Sequence, residues 1–335
     1  MTRPGDGAKR SGRSVIVTTS YPDSPGDPSG HFVAAEVAER RARGERVLVL
    51  APRVAESNGH DEDDVLRLPA HGAFGWPGAL ARLRERPLRL FGVLRFVLAA
   101  RRELARLADA ERVVAHFIVP CGWPIATRRA RRSLEIVAHG SDVRLLARLP
   151  APLRRHIARS LAGADVRCAS EELRRELACA LGPLPHSTLR VEPPALELPC
   201  SLSRAEARAA LGVAAHERVL VVVGRLVAGK RVEVALRAAS LIPRARSVVV
   251  GDGPERAALE RRFPNVRFVG RVPRSAALGW ITAADVLLSA SVHEGAPSVV
   301  REARALGTPV VTLAAGDLAA WAERDPGLCV LPGRP

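Results

Sequence analysis

The amino-acid sequence predicts an α/β protein with two doubly wound domains, each built on a parallel sheet. Short apolar runs rich in Val, Ile and Leu alternate with longer helical patterns, which is typical of buried parallel strands joined by helices. The alternation stops at a segment rich in Pro and Ser, residues 193–203, and then restarts. A chain of 335 residues is long enough for two domains of roughly 150 residues each.

Apolar runs on both sides of the break are predicted as strands. The first group is 14–20, 45–52, 111–118, 134–140, 164–170 and 187–193, and the second is 217–225, 247–253, 265–270, 284–291 and 308–314. We therefore expect a disordered basic tail at 1–13, an N-terminal domain at 14–192, a linker with a capped helix at 193–216, and a C-terminal domain at 217–335. Ligands of such sheets bind beyond the carboxyl ends of the strands, so a cleft between the two domains is the expected site.

Composition excludes several classes of protein. The net charge is +16, but every basic residue except Lys9 and Lys230 is arginine, a usage typical of a GC-rich genome, so the charge alone is no sign of a nucleic-acid partner. Aromatic residues make up 4% of the chain, too few for base-stacking surfaces, and we predict no nucleic-acid binding. The five cysteines form no Cys-x-x-Cys pair, which favours a reducing cytoplasm over zinc sites or disulfides. No run of 18 apolar residues predicts a membrane span.

Residues 79–107 carry eight Arg and two Glu among Leu, Val and Phe. Pro87 and Gly92 interrupt the segment, which predicts two helices. Either its arginines face water, or the segment forms a basic surface that contacts anionic lipid headgroups. In the second case the protein is peripheral on the inner face of the cell membrane.

The most informative stretch is VHEGAPSVVREARALGTPVV, residues 292–311. Glu294 follows a predicted strand, and Glu302 lies eight positions further on. Pro297 and Ser298 suit the first turn of a helix, whose free N–H groups can hold a phosphate. Each glutamate could accept hydrogen bonds from sugar hydroxyls on either side of that phosphate. Spacing alone favours surface carboxylates for both.

Two further strand ends carry residues suited to phosphates. In VVVGRLVAGKR, Arg225 offers a planar fork for phosphate oxygens, and Lys230, one of only two lysines, offers a compact charge. In VVVGDGPE, Gly251 and Gly253 form a turn that is either a plain tight turn or part of the same site.

In order and spacing, GRLVAGK, VVVGDGPE, VRFVGRVPRSAALGWITAADVLLSAS and EGAPSVVREARALGTPVV resemble the donor domain of GT4-type retaining glycosyltransferases (glycosyltransferase group 1). In the N-terminal half, YPDSPGDPSGHFVAAEVAERRARGERVLVLAP resembles the opening strand, glycine loop and first helix of that family. The segments HFIVPCGWP and VAHGSDV resemble its acceptor-side motifs. The similarity covers about residues 14–332. It implies the GT-B fold, in which two Rossmann-like domains face a cleft.

The resemblance also implies roles for individual residues. Arg225 and Lys230 would bind the diphosphate of a nucleotide sugar and stabilise the leaving group, and Glu302 would hold the ribose. Glu294 and His139 would lie at the transferred sugar, although His139 taken alone is as well explained as a buried or capping histidine, and His116 is left as structural or acceptor-side. The remaining expected site residues are Gly30, Gly295, Ala296, Pro297 and Ser298 near the sugar and diphosphate, Arg271 and Val272 near the base, and Asp142, Gly251 and Gly253 in supporting positions.

This assignment implies a metal-independent reaction that needs no cofactor besides the nucleotide-diphosphate sugar as co-substrate. Bond cleavage places negative charge on the departing diphosphate, and an Arg–Lys pair can stabilise it in place of a metal ion. The expected acceptor is a glycan or a lipid-linked precursor. Retention by same-face attack is an implication of the resemblance only.

The chain departs from the family pattern in three places. Arg231 stands where a glycine usually follows the lysine, and VEPPALEL replaces a Pro-Asn-Gly type of turn. The sequence also ends at LCVLPGRP, before the helix that in relatives crosses back onto the N-terminal domain. From this we expect a donor domain without its crossover helix.

Three other functions remain open at this point. The first is a catalytically inactive sugar-nucleotide-binding protein or partner subunit. The second is another GT-B or Rossmann-type enzyme, which the lack of Gly-x-Gly-x-x-Gly after the first strand disfavours for a dinucleotide cofactor. The third is nucleic-acid binding, against which the low aromatic content argues.

Overall fold

The computed structural model describes residues 13–54, 64–126, 132–198 and 202–332. They form two parallel sheets with helices on both faces, which confirms the predicted fold class. Of the expected basic tail, only Arg13 lies within the described residues, where it begins the first strand. None of the helices in these ranges is both long and apolar enough to cross a membrane.

The N-terminal sheet and its helices occupy residues 13–191. Its strands are β1 (Arg13–Val17), β2 (Arg46–Pro52), β3 (Val65–Leu68), β4 (Ala110–His116), β5 (Ser133–Ala138), β6 (Asp165–Cys168) and β7 (Thr188–Val191). Its helices are α1 (His31–Ala42), α2 (Ala79–Glu85), α3 (Leu90–Arg106), α4 (Ser141–Ala147), α5 (Ala151–Ser160) and α6 (Glu171–Leu181). The strand order is β3–β2–β1–β4–β5–β6–β7.

The C-terminal sheet begins after an extended linker and α7 (Arg204–Leu211). Its strands are β8 (Arg218–Val223), β9 (Ala245–Val250), β10 (Arg267–Gly270), β11 (Val286–Ser289), β12 (Val310–Leu313) and β13 (Leu328–Leu331), in the order β10–β9–β8–β11–β12–β13. Its helices are α8 (Val232–Ser240), α9 (Arg256–Arg262), α10 (Arg274–Ala283), α11 (Ser298–Ala305) and α12 (Leu318–Ala322). A capping box at Ser203 and Glu206 begins α7, as the sequence predicts.

The central strands β1 and β8 contain continuous apolar runs because both of their faces are covered. In β1, Val15 and Val17 belong to one core cluster and Ile16 to the cluster on the opposite face. In β8, Val221 and Val222 divide in the same way. Alternate side chains of a strand point to opposite faces, so a continuous run of Val and Leu marks a strand buried on both sides.

The structure differs from the predicted elements at three places. The sequence pattern missed β3 and β13, which are four residues long and lie at the outer edges of the two sheets. Gly92 was expected to interrupt a helix, and this was wrong, since α3 runs through it. A Cβ at Gly92 would lie 2.1 Å from the Ala70 carbonyl oxygen, so the glycine lets α3 pack closely on that loop.

Polar contacts join the two domains beside the carboxyl ends of their sheets. Arg271 donates to Asp27 at 2.6 Å, and the Arg274 amide donates to the Gly26 carbonyl. Asp317 accepts hydrogen bonds from the first two amides of α6, those of Glu171 and Glu172. The site residues described below are therefore enclosed between two domains that contact each other.

Candidate functional site

The structure brings Lys230 and Glu294 together as an ion pair, with Nζ 2.5 Å from Oε1. Lys230 ends a short turn after β8, and Glu294 lies in the loop after β11, the strand next to β8 in the sheet. Burial acts to raise the pKa of the Glu294 carboxyl, but Lys230, the Ser291 hydroxyl and Arg225 outweigh it, and the pKa is lowered. Lys230 therefore pairs directly with a largely buried carboxylate, and Arg225 acts on the same carboxylate electrostatically.

The Arg225 side chain reaches from the C-terminal domain to the N-terminal one. Its Nη1 donates a hydrogen bond to the Pro77 carbonyl at 2.5 Å. A Cβ at Gly78 would lie 2.7 Å from the same nitrogen. The loop around Gly78 thus packs directly against the guanidinium, which places Arg225 at the boundary of both domains.

Gly251 and Gly253 let two loops of the C-terminal domain lie against each other. A Cβ at Gly251 would come within 1.9 Å of the Gly224 carbonyl oxygen, and one at Gly253 within 2.4 Å of the Leu226 carbonyl oxygen. The Leu226 amide also donates to the backbone carbonyl of Asp252 at 2.8 Å. The glycine turn therefore supports the backbone that carries Arg225, and it is more than a plain tight turn.

Arg231, which departs from the family glycine, adopts φ 46° and ψ 43° at the start of α8. This left-handed conformation favours glycine, which accounts for the residue usual at that position.

Glu302 lies in α11, where it is buried and paired with Arg274. Arg274 Nη2 and Nε lie 2.7 and 3.2 Å from the same oxygen, Oε1. His31 Nε2 is 3.8 Å from that oxygen, and burial lowers the pKa of His31. Within the described residues, Oε2 of Glu302 has no hydrogen-bond partner, which leaves it available to a ligand hydroxyl.

Residues 295–298 form the turn that begins α11. Pro297 is the N-cap residue, and no side chain accepts from the first amides of the helix in the described part of the chain. A Cβ at Gly295 would lie 3.3 Å from Ala169 Cβ and 3.7 Å from the His139 carbonyl oxygen, so the turn that contains Ala296 and Ser298 runs close to the N-terminal domain. Free amides at this position can bind an anion.

Arg271 and Val272 occupy different environments. Arg271 pairs with Asp27, and its guanidinium carbon lies 5.1 Å from the centre of the Trp76 ring. Val272 packs against the C-terminal core. Only Arg271 extends to the domain boundary through contacts of its side chain.

His139 follows β5 and lies among other rings. Phe117 and Phe32 have ring centres 4.5 and 4.8 Å away, and His116 Nδ1 lies 3.1 Å from His139 Nε2. Asp142 was expected to orient the imidazole or to support the structure, and its contacts are with the backbone. It accepts from the amides of Ile118, His139 and Gly140.

Gly30 adopts φ 67° as the N-cap of α1. A Cβ there would lie 2.3 Å from the Ser20 carbonyl oxygen. The expectation was that glycine lets the backbone approach a diphosphate, and the structure supplies an intramolecular reason for the same residue.

Sequence reasoning missed the partners of these residues. Arg274 and His116 contact Glu302 and His139 through the folded structure, and no local pattern marks either of them. The described residues also include no group of three or more His, Cys, Asp or Glu side chains placed to hold a metal ion.

Comparison with known proteins gives related glycosyltransferases. The family model for glycosyl transferases group 1 matches residues 217–335. The glycosyltransferase TuaC of Bacillus subtilis, assigned to teichuronic acid biosynthesis, is 26% identical over 94% of this chain and 84% of its own length. The D-inositol 3-phosphate glycosyltransferase of Mycobacterium tuberculosis is 36% identical, over 34% of this chain and 26% of its own.

Solved structures share the fold at low identity. Sucrose-phosphate synthase from Thermosynechococcus elongatus aligns with a TM-score of 0.72 at 18% identity, covering 96% of this chain and 86% of that one. WaaG, a glycosyltransferase involved in lipopolysaccharide biosynthesis, gives 0.66 at 19%, with 95% and 85% covered. Anabaena HepE in complex with UDP and glucose gives 0.63 at 19%, with 92% and 82% covered. The two sheets have the GT-B fold of these glycosyltransferases, and residues 217–335 match the family model for glycosyl transferases group 1.

Proposed function

We propose that this protein is a retaining glycosyltransferase that moves a sugar from a nucleotide-diphosphate sugar to a glycan or lipid-linked acceptor. The observation that carries the proposal is the Lys230–Glu294 ion pair, which lies next to a helix N-terminus without a side-chain cap. Arg225 acts on the same carboxylate electrostatically and reaches the domain boundary. Cations and free amides arranged in advance are what a departing diphosphate requires.

In this mechanism the two cations take over the charge of the leaving group. Lys230 is now neutralised by Glu294, and a diphosphate that enters the site would share or replace that partner. Glu294 would then be free to accept hydrogen bonds from the transferred sugar. Because two protein cations supply the charge, the proposed reaction needs no metal ion.

Glu302 would hold the ribose through Oε2, since Arg274 already engages Oε1. Amides at the start of α11 would bind phosphate oxygens, and Arg271 would lie toward the base. Anabaena HepE, which has the same fold, is solved with UDP and glucose, and this makes uridine diphosphate sugars the first donors to test.

Nucleotide binding tests the proposal directly. Thermal unfolding would be followed with UDP, GDP and ADP and their sugar conjugates, with a chelator present. A nucleotide at about 100 times its Kd adds roughly 2.7 kcal/mol of stability. We expect one nucleotide to stabilise the protein, and Lys230→Met and Glu302→Gln to remove that shift. The matched control is Glu260→Gln, an exposed carboxylate of α9 whose loss should leave the shift intact.

Turnover separates the proposed enzyme from an inactive binder. Release of nucleoside diphosphate in the presence of glycan or lipid-linked acceptors, with the anomeric configuration of the product read by NMR, would support a retaining transferase. Nucleotide binding without turnover of any acceptor would favour the sugar-nucleotide-binding protein, and no binding at all would overturn both.

We also propose that α2 and α3 dock on an anionic lipid bilayer, which would place the enzyme at the inner face of the cell membrane. The outer face of these helices, and of the turn at residues 87–89 between them, carries apolar side chains that the core does not cover. Leu88 in the turn and Phe91 in α3 are 78% and 66% exposed. The exposed apolar set is Leu80, Leu88, Leu90, Phe91, Leu94 and Leu98. The same segment also carries exposed arginines, which are Arg84, Arg86, Arg95, Arg101, Arg102 and Arg106.

An apolar stripe with a basic border fits a negatively charged membrane surface. Arg82 and Arg89 do not belong to this surface, because their side chains donate to the carbonyls of Gly72, Trp76 and Arg82. They fix the loop and the turn between the helices. A test of lipid binding should therefore leave both unchanged.

Vesicle co-sedimentation tests this surface. Wild-type protein should sediment with vesicles of phosphatidylglycerol and phosphatidylcholine, and less with phosphatidylcholine alone. The triple change of Arg84, Arg86 and Arg95 to Ser should abolish sedimentation. The matched control changes the exposed donor-domain residues Arg218, Arg261 and Arg324 to Ser. Equal loss with both triples would show a general charge effect and overturn the assigned surface.

A further inference from the structure

A buried chain of side chains runs behind His139, away from the cleft. His139 Nε2 lies 3.1 Å from His116 Nδ1, and His116 Nε2 lies 3.5 Å from Glu36 Oε2. His116 is 1% exposed, and in the described part of the chain its Nε2 makes no hydrogen bond, so the contact with Glu36 is electrostatic. The two imidazoles are stacked, with an interplanar angle of 16°.

The far end of this chain is anchored by a buried ion network. Glu36 Oε1 binds Arg40 at 2.8 Å and Arg167 at 2.5 Å, and Glu135 binds the same two arginines. All four side chains are less than 10% exposed by residue. A carboxylate held by two guanidinium groups is fixed in place, so the negatively charged Oε2 of Glu36 keeps its position beside His116.

Both histidines are neutral in this setting. Burial, with Arg167 and Arg40 nearby, lowers the pKa of His116 to about 3. Burial and the neighbouring His116 lower the pKa of His139 well below its usual value. Each ring therefore carries one proton, and the position of that proton is decided by what each nitrogen faces.

We propose that His116 is a positioning residue that fixes the tautomer of His139. The negative Glu36 carboxylate lies 3.5 Å from His116 Nε2 and favours a proton on that nitrogen, so His116 Nδ1 is the acceptor in the hydrogen bond with His139. His139 must then donate from Nε2, which leaves a lone pair on Nδ1. Among the described residues, Nδ1 of His139 has no protein partner, and it can accept a hydrogen bond from a sugar hydroxyl.

The surroundings of His139 support a fixed orientation. Phe117 and Phe32 pack against its ring, and Phe117 adopts φ 77°, a conformation rarely taken by a residue with a side chain. The Asp142 carboxylate binds the His139 amide and so holds the backbone. Phe117, Phe32 and His116 thus fix the orientation of the His139 ring. Its Nδ1 serves as a hydrogen-bond acceptor and does not carry protons near neutral pH.

The tautomer is measured by NMR of the full chain labelled with ¹⁵N-histidine. The chain has nine histidines, and spectra of His116 and His139 variants assign the two of interest. We expect both rings to remain neutral Nε2–H tautomers from pH 6 to 8, as their low pKa values require. A wild-type His139 protonated on Nδ1 would overturn the proposal without any variant or substrate.

Two substitutions at His116 separate positioning from packing. His116→Asn keeps an acceptor near the position of Nδ1, so the His139 tautomer and kcat should be retained. His116→Leu removes the acceptor from a fully buried position, and we expect a mixed His139 tautomer and a fall in kcat of about tenfold, with nucleotide Kd unchanged. An unchanged His139 tautomer in the Leu variant would contradict the proposal.

The effect on kcat rests on the proposed glycosyl transfer, and the NMR result does not. If no nucleotide binds, the proposed function fails while the tautomer assignment is still decided. If His116→Leu does not fold, the wild-type spectrum and the Asn variant remain decisive.

Discussion

Lys230 and Glu294 neutralise each other at 2.5 Å although 64 positions of sequence separate them. Neither charge is well hydrated, since the side chains are 27% and 14% exposed. A pair of this kind is costly to break by removing one partner, because the other charge is left partly buried. The site therefore holds its charges in place before any ligand arrives, and the two residues should depend on each other in stability and pH response.

Lys230→Met should destabilise the protein in a pH-dependent way. The pKa of Glu294 is lowered from its ordinary 4.5 in the folded protein, so its pairing stabilises the fold above that pH and is lost as the pH falls through the folded-state pKa. In the variant, burial acts on an unpaired carboxyl and raises its pKa. Urea unfolding should show a loss of about 1–3 kcal/mol at pH 7. On acidification this loss should begin to shrink above pH 4.5, as the pH falls through the raised pKa of the variant, and should go on shrinking until the wild-type carboxyl is protonated as well.

The double variant Lys230→Met with Glu294→Gln is the control for this pH dependence. It removes both charges, so most of the lost stability should return and its pH dependence should disappear. A loss that stays the same from pH 7 to pH 3 would show that the ion pair does not contribute.

Arg274→Met should weaken nucleotide binding although Arg274 is not itself assigned to the nucleotide. Its guanidinium fixes Glu302 through Oε1 and leaves Oε2 for the ribose. Without it, the carboxylate loses its orientation, and we expect Kd to rise about tenfold by calorimetry, equivalent to roughly 1.4 kcal/mol. Arg301→Met is the matched control, because Arg301 lies beside Glu302 in α11 but its side chain donates to the Pro194 carbonyl. A gain in affinity for Arg274→Met would mean that Arg274 competes with the nucleotide for Glu302.

The strands and the placement of the site were predictable because both depend on local pattern and on simple topology. A short run rich in β-branched residues, such as RVLVVV, is typical of a strand buried on both faces, and residues that follow parallel strands gather at one edge of the sheet. Arg225, Lys230 and Glu294 were singled out in this way, from the ends of two strands, β8 and β11.

The partners of these residues could not be predicted because they depend on packing between distant segments. Glu36 comes from α1, yet it lies beside His116 at the end of β4 and against Arg167 of β6. Each of these residues looks like an ordinary polar residue in its own segment. The edge strands β3 and β13 were missed as well, although strands of the same length, such as β7 and β10, were predicted within longer segments.

Gly251→Ala should destabilise the C-terminal domain strongly. The added Cβ would lie 1.9 Å from the Gly224 carbonyl oxygen, and Gly251 adopts φ 138°, which residues with a side chain avoid. We expect a loss of more than about 2 kcal/mol in urea unfolding. Gly279→Ala is the matched control, because Gly279 is inside α10 with open space around it, and alanine there should stabilise by about 0.5–1 kcal/mol. Equal effects of the two changes would contradict the close approach of the two loops.

Asp317→Ala should loosen the contact between the domains without unfolding either one. Its carboxylate accepts from the Glu171 and Glu172 amides at 2.6 and 3.0 Å, so a residue of the C-terminal domain caps a helix of the N-terminal domain. Ser170 is the cap within the helix's own domain and accepts from Leu173. Loss of a cap costs about 0.5–2 kcal/mol. Hydrogen exchange at the Glu171 and Glu172 amides should therefore become several-fold faster in Asp317→Ala, while the Leu173 amide keeps its protection. In Ser170→Ala, exchange should instead become faster at the Leu173 amide, while the Glu171 and Glu172 amides keep their protection. If Asp317→Ala leaves exchange at Glu171 and Glu172 unchanged, the two domains separate readily in solution and the capping contact does not hold them together.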